Sequence, residues 1–325
     1  MNNKKEKKNI SKNGNEQSLK NILFTIAYYN ALDFYPDTFF VWKHLIDVKR
    51  RGQSIAFSEV LRGLEELKEK QKIISKNGFW KLNIVDQNET KRDWYKHQIQ
   101  KNKISIKKIN NAKKWGQVLQ HLPYLKGILL TGTLALKRAE ENSDWDVLVI
   151  IKKNRIWLGR LVLTFWLHFI GKRRHHQKTK NRFCLNQFAV EDRLAFQERN
   201  EFSANEILNG RWLIAGVDLK NRFLKSNIDW LKKYKPNYKL RRIGNAQRRE
   251  SLIGKFSEYF LEKFCFGEKL NQVFKKVMIK KITNNPKTYF KDADIRYGDF
   301  FLVFLPHPQR DHVKRGAYEL LTKLH

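Results

Sequence analysis

From Ser18 to about Asn83 the apolar residues fall at helical spacing three times and then alternate. Ile22, Leu23, Ile26 and Ala27 mark one face of a first helix, Asp37-Thr38 can cap a second running through Ile46, and Val60, Leu61, Leu64 and Leu67 align along a third between Ser58 and Lys70. The stretch Lys72–Leu82 alternates about Asn77-Gly78, a dipeptide that accepts the positive φ angles of a tight hairpin. Three helices and a hairpin give the order of a winged helix over residues 18–85. Its third helix would be the DNA-reading one, yet Glu65, Glu66 and Glu69 stand there beside Arg62, Lys68 and Lys70, a balance equally suited to docking a protein.

Residues 86–115 follow as a Lys-rich connector helix with Lys91, Arg92, Lys96, Lys101, Lys103, Lys107, Lys108, Lys113 and Lys114, either a solvated connector or a face that tracks nucleic acid. Residues 116–234 hold an apolar strand at Gly127–Thr131, a second beginning at Asp144, a helix at Trp157–Ile170 and a strand at Phe183–Val190. From about Lys235 to His325 the chain reads as mainly helical. Phe256, Tyr259, Phe260, Phe264 and Phe266 follow one helix face between Leu252 and Val277 and are expected as aromatic core. Phe300–Phe304 is strand-like, and Pro306-His307-Pro308 ends it, leaving His307 as an ordinary loop residue. The fold class expected is α+β, a small mixed sheet between an N-terminal winged-helix-like module and a C-terminal helical region. The most apolar stretch, Ile156–Ile170, is short for a bilayer span and contains Arg160 and His168, so no transmembrane segment is expected.

Charge changes the picture. The 325 residues include 66 Lys and Arg against 32 Asp and Glu, a net +34, with 41% apolar content that is ample for a folded core. Such a field favours polyanions and salt-sensitive nucleic-acid binding. A compositional bias toward Lys and Asn is the competing explanation. Met1–Gln17 lacks an apolar core and reads as a disordered basic arm rather than a secretory signal. Cys184 and Cys265 lie among apolar residues and read as free thiols of a reducing, cytoplasmic compartment. Nothing in the pattern assigns an oligomeric state.

The candidate chemistry sits between Leu130 and Ile151. Asp144 and Asp146, at i and i+2 of an extended strand, share one face, while Trp145, Val147 and Val149 share the other. A divalent metal fits between such carboxylates. Upstream, Thr131-Gly132-Thr133 leaves an apolar strand for a short helix and offers backbone N–H groups to a phosphate. Together these suit a metal-bound nucleoside triphosphate held for in-line attack.

On these residues the chain resembles the nucleotidyltransferase superfamily that includes polymerase β and kanamycin nucleotidyltransferase. Gly132-Thr133 stands for its Gly-Ser, and Ser143-Asp144-Trp145-Asp146-Val147 stands for its Ser-Asp-apolar-Asp-apolar motif. Lys137 occupies a helix position where many members carry a second Gly, and adds a phosphate-facing cation. The likeness extends over roughly residues 20–315 to an uncharacterised prokaryotic group, through Asn154-Arg-Ile-Trp157, Phe183-Cys-Leu-Asn-Gln-Phe188 and Asn200-Glu-Phe-Ser-Ala-Asn-Glu206.

The resemblance implies a palm-like domain and transfer of a nucleoside monophosphate to a hydroxyl acceptor, with release of pyrophosphate. It implies Mg²⁺ or Mn²⁺ on Asp144 and Asp146, triphosphate at Gly132, Thr133, Lys137 and Ser143, and Lys137 or Arg138 neutralising developing charge. A third carboxylate is implied on a later strand, where this chain has Asn186, which cannot act as a base. Glu191 and Asp192 are the nearest substitutes. Two alternatives stay open: a nucleotide- or nucleic-acid-binding regulator with an impaired site, and a basic scaffold whose acidic pair is incidental.

Overall fold

The computed structural model describes residues 2–84, 93–175, 177–239, 251–264 and 267–324, with side chains from residue 15 onward. Lys91, Arg92, Cys265 and Phe266, all singled out above, lie outside the described residues. The first part of the chain comprises α1 (Asn2–Asn30), α2 (Thr38–Lys43), α3 (Phe57–Glu69) and a hairpin of β1 (Ile73–Lys76) and β2 (Phe79–Leu82). Helix α1 runs through the segment expected as a disordered arm. Asp37 caps α2 by accepting the Phe40 N–H at 2.7 Å. The helix stops at Lys43 rather than Ile46, because the Ile46 N–H donates to the Thr25 hydroxyl of α1 instead of a helical carbonyl. At Gly63 of α3 a Cβ would stand 2.6 Å from Ile22, so the two helices meet closely at a residue without a side chain. Asn77 and Gly78 adopt φ of 50° and 79°, the left-handed pair that this hairpin needs.

Helix α4 (Trp94–Leu119) leads to a sheet built from β3 (Leu125–Leu130), β4 (Trp145–Ile151), β5 (Phe183–Val190) and later strands. Between them come the single turn α5 (Gly132–Ala135) and the crossover helix α6 (Ile156–Phe169). Then follow α7 (Glu201–Asn209), β6 (Arg211–Ile214), α8 (Val217–Lys225), α9 (Ile228–Tyr234), α10 (Leu252–Phe264), α11 (Gly267–Thr283), β7 (Asp294–Tyr297), β8 (Phe301–Leu305) and α12 (Arg310–Thr322). The sheet order is β6-β3-β4-β5-β8-β7, with β4 and β5 parallel and the other pairs antiparallel. The protein is a mixed α+β fold.

Strand alternation divides the sheet's burial between two cores. Trp145, Val147, Val149 and Ile151 join residues of α4 and α6 on one face, where α11 also packs. Leu148 and Ile150 join α7, α8 and α9 on the other. The segment read as a mainly helical C-terminal region is divided: β7 and β8 extend the sheet, while α12 lies along α1. Val313 and Ala317 enter the N-terminal core, and Tyr318 meets Phe24 with ring centroids 5.3 Å apart.

One expectation fails outright. Phe256, Tyr259, Phe260 and Phe264 are not core residues but are 48 to 70% exposed. The opposite face of α10 explains the orientation. Glu258 pairs with Lys152 and Lys126, and Glu262 with Arg155, so ion pairs select the face that turns inward. No described helix is long and apolar enough to cross a membrane.

Candidate active site

Asp144 and Asp146 lie where β4 enters the sheet, on the wall of a cavity of about 780 Å³ that Thr131, Gly132, Thr133, Arg138, Arg174 and Asn186 also line. Parallel pairing sets Asp146 opposite Cys184, and an irregularity before Leu148 brings Asn186 onto the same side. The backbone N–H of Thr131 donates to the Asp146 carbonyl at 2.9 Å, tying the entry of α5 to the acidic strand. Gly132 is required there twice over. Its φ is +65°, and a Cβ would come within 2.4 Å of Asp146 Oδ2.

The polar groups form a continuous line of contacts from Asp144 to Asp146. Arg174 Nε lies 3.0 Å from Asp144 Oδ2, and its Nη1 donates to Cys184 Sγ at 3.0 Å. Cys184 donates to Asn186 Oδ1 at 2.8 Å, and Asn186 Nδ2 donates to Asp146 Oδ1 at 2.7 Å. Desolvation first, and the Asp146 charge second, push the Cys184 thiol up to about 12, so it keeps the proton this sequence of bonds uses. Its surroundings are therefore polar, contrary to the apolar setting expected from its neighbours in sequence.

Asp146 is pushed up to about 7 by desolvation, then by Asp144 and Glu206, against the lowering effect of Arg174 and Asn186. Glu206, from α7, accepts the Gly132 N–H at 2.8 Å. Desolvation raises its pKa despite that bond and the nearby Arg138. Arg138 donates to the Leu32 carbonyl at 3.1 Å, while its buried Nε has no hydrogen-bond partner among the described residues. Three carboxylates thus converge on two guanidinium groups, and burial disfavours the charge on the innermost acids.

A divalent cation fits this donor set. Asp144, Asp146 and Cys184 can each place a ligand atom within 4.8 Å of the others. The two carboxylates suit a hard cation, whereas the protonated thiol is a poor ligand for one.

The other expected residues separate. Thr133 lines the cavity, but Lys137 and Ser143 do not. Lys137 has a left-handed φ of 56°, and the Ser143 hydroxyl accepts the Glu140 N–H at 2.9 Å, shaping the loop. Glu191 and Asp192 are at the far end of β5. There Glu191 accepts the Lys153 N–H at 3.4 Å and Asp192 pairs with Lys153 at 3.1 Å, so neither replaces a base beside Asp146. Lys108 of α4, read only as part of a charge run, is buried. Its Nζ donates to the carbonyls of Glu141 at 2.7 Å and Ser143 at 2.9 Å and to Asn181 at 3.2 Å, fixing the loop that delivers Asp144.

Away from the acids the cavity becomes aromatic, with Phe196, Phe300 and Phe304 on its wall and Arg193 5.3 Å from the Phe300 ring centroid. His307 is there too, its ring 5.3 Å from that of Phe290. No family model, curated protein or solved structure matches this chain.

Proposed function

We propose that the chain is a nucleotidyltransferase-like protein acting in the cytoplasm on a nucleoside triphosphate and a hydroxyl acceptor. The observation that carries this reading is the joint placement of Asp144, Asp146 and the Gly132 turn on one cavity wall, with Gly132 packed against the Asp146 carboxylate. Asp144 and Asp146 would hold Mg²⁺ or Mn²⁺, which when bound supplies Lewis-acid polarisation of phosphate oxygens. Thr133 donates its hydroxyl to the phosphates, and Arg138 and Arg174 supply positive charge beside them. The acceptor hydroxyl gives up its proton to solvent water as its oxygen bonds to the α-phosphorus, the bond from that phosphorus to the bridging oxygen of the β-phosphate breaks, and pyrophosphate leaves. The aromatic end of the cavity is suited to a flat ring of either the nucleotide or its acceptor.

A second reading is favoured by one contact. Asn186 presents an amide donor to Asp146 at 2.7 Å, where the resemblance implies a proton-accepting carboxylate. On that reading the site binds nucleotide without turnover and serves regulation, through the winged-helix-like order of α1, α2, α3 and the β1-β2 hairpin or through basic surface that meets nucleic acid. The deciding experiment is transfer of label from each α-³²P nucleoside triphosphate to RNA, DNA and protein fractions with Mg²⁺ or Mn²⁺, alongside equilibrium binding of the same nucleotides. Transfer that Asp146→Asn abolishes supports the enzyme. Metal-dependent binding without transfer supports the regulator, and neither binding nor transfer sinks both.

A further inference from the structure

Helix α10 is mounted with its apolar side outward. Leu252, Ile253, Phe256, Tyr259, Phe260 and Phe264 recur at helical spacing along one face, and they are 48 to 81% exposed. The polar face points inward and is fastened to the sheet domain. Glu258 pairs with Lys126 and Lys152, Glu262 pairs with Arg155 at 2.7 Å, and Ser251 bonds the His121 ring at 2.6 Å. The ion pairs thus hold a hydrophobic stripe in water, which is unfavourable for an isolated molecule. The next helix continues the chemistry: on α11, Val273 and Val277 are 54% and 55% exposed, with Lys276, Lys280 and Lys281 exposed beside them.

Charge identifies the occupant. The acids of α10 face inward, and Glu268 at the start of α11 is paired with Arg155, so the ionic groups along the outward side are lysines. Lys263 donates to the Tyr259 hydroxyl at 3.0 Å and its ammonium lies 5.8 Å from the Phe264 ring centroid, its stem running over the apolar stripe.

We propose that α10 and α11 dock this protein on an anionic lipid surface, with the aromatic stripe entering the headgroup boundary and the lysines meeting lipid phosphates and carboxylates. An in-plane amphipathic helix with aromatic residues on one side and lysines flanking it has this composition. Nucleic acid is a poorer fit, because its interfaces are polar and wet, whereas Leu252, Ile253, Phe256 and Phe260 present a continuous apolar strip. A second copy is a poorer fit as well, since two chains of net +34 repel and these helices offer no acidic counter-surface.

The test is cosedimentation of the full chain with phosphatidylcholine vesicles with and without phosphatidylserine, comparing it with Phe256→Gln/Phe260→Gln and Lys276→Glu/Lys280→Glu. Both pairs are exposed, so the fold is left intact, which circular dichroism checks. The expected result is sedimentation that requires phosphatidylserine and weakens at least about tenfold in either double variant. Sedimentation unaffected by the phenylalanine pair, or absent from phosphatidylserine vesicles, overturns the proposal. So does RNA binding that the phenylalanine variant abolishes, or a dimer in sedimentation velocity that the same variant converts to monomer.

Discussion

Asn186 Nδ2 donates to Asp146 Oδ1 at 2.7 Å across the parallel β4-β5 pair, so the side chain facing the second carboxylate is a donor rather than a third acid. The contact lowers the repulsion that Asp146 feels from Asp144 and Glu206, and it leaves the apo site without a base at that position. Asn186→Asp reverses both effects. The variant is expected to lose about 1–3 kcal/mol of apo stability at neutral pH, from a broken bond and an added like charge. It should regain that loss in Mg²⁺ and raise metal-dependent transfer by about tenfold or more. Thermal melts with and without Mg²⁺, together with the label-transfer rate, check both parts.

Asp146 gives a pH dependence with a defined sign. Its folded pKa of about 7 lies above the ordinary aspartate value, so folding favours the protonated form. The associated stability is complete below about pH 4 and is lost as pH rises through about 7. Asp146→Asn should therefore match the native chain at acid pH and exceed it by roughly 1–3 kcal/mol at pH 8, within a ceiling of about 4 kcal/mol for the full shift. Urea titrations across that range measure the difference. A variant less stable than the native chain at pH 8 would contradict the burial argument.

Gly132→Ala tests the close approach. The added Cβ meets Asp146 Oδ2 at 2.4 Å in a left-handed backbone, so the carboxylate must move. Triphosphate affinity in Mg²⁺ is expected to fall by about tenfold or more, with about 1–3 kcal/mol of strain in the apo protein. Calorimetric titration with a non-hydrolysable triphosphate reads the first, and a melt reads the second.

Lys108→Met removes three bonds to the loop before Asp144 while keeping most of the aliphatic volume. Leaving the Glu141 and Ser143 carbonyls without their ammonium should cost about 1–3 kcal/mol. It should also weaken metal binding, which Mn²⁺ titration monitored by relaxation detects. Unchanged metal affinity would confine Lys108 to a purely structural part.

The sequence revealed whatever depends on near neighbours. The bounds Phe183–Val190 of β5, the turn at Asn77-Gly78 and the shared face of Asp144 and Asp146 all follow from period-two alternation or from local backbone preference. The remaining features depend on distant partners. Cys184 looks apolar beside Phe183 and Leu185, and only the folded chain brings Arg174 to it. Glu206 stands in a helix-start motif that gives no hint of the Gly132 N–H it accepts. The amphipathic pattern of α10 was plain, but hydrophobicity alone pointed its aromatic side inward; Lys126, Lys152 and Arg155 decide otherwise, and each is more than ninety residues away from its partner in α10.

The closure of α12 over α1 sets an order of events during synthesis. Phe24 of α1 packs with Tyr318, and the Lys72 ammonium donates to the Leu324 carbonyl at 2.7 Å, so the earliest hydrophobic unit is completed by residues translated after the whole sheet domain. A ribosome must therefore release both β-strand regions before α1 meets this partner. Until then its Phe24 side stays open to chaperones and to premature association, and stalled or shortened nascent chains inherit that exposed side.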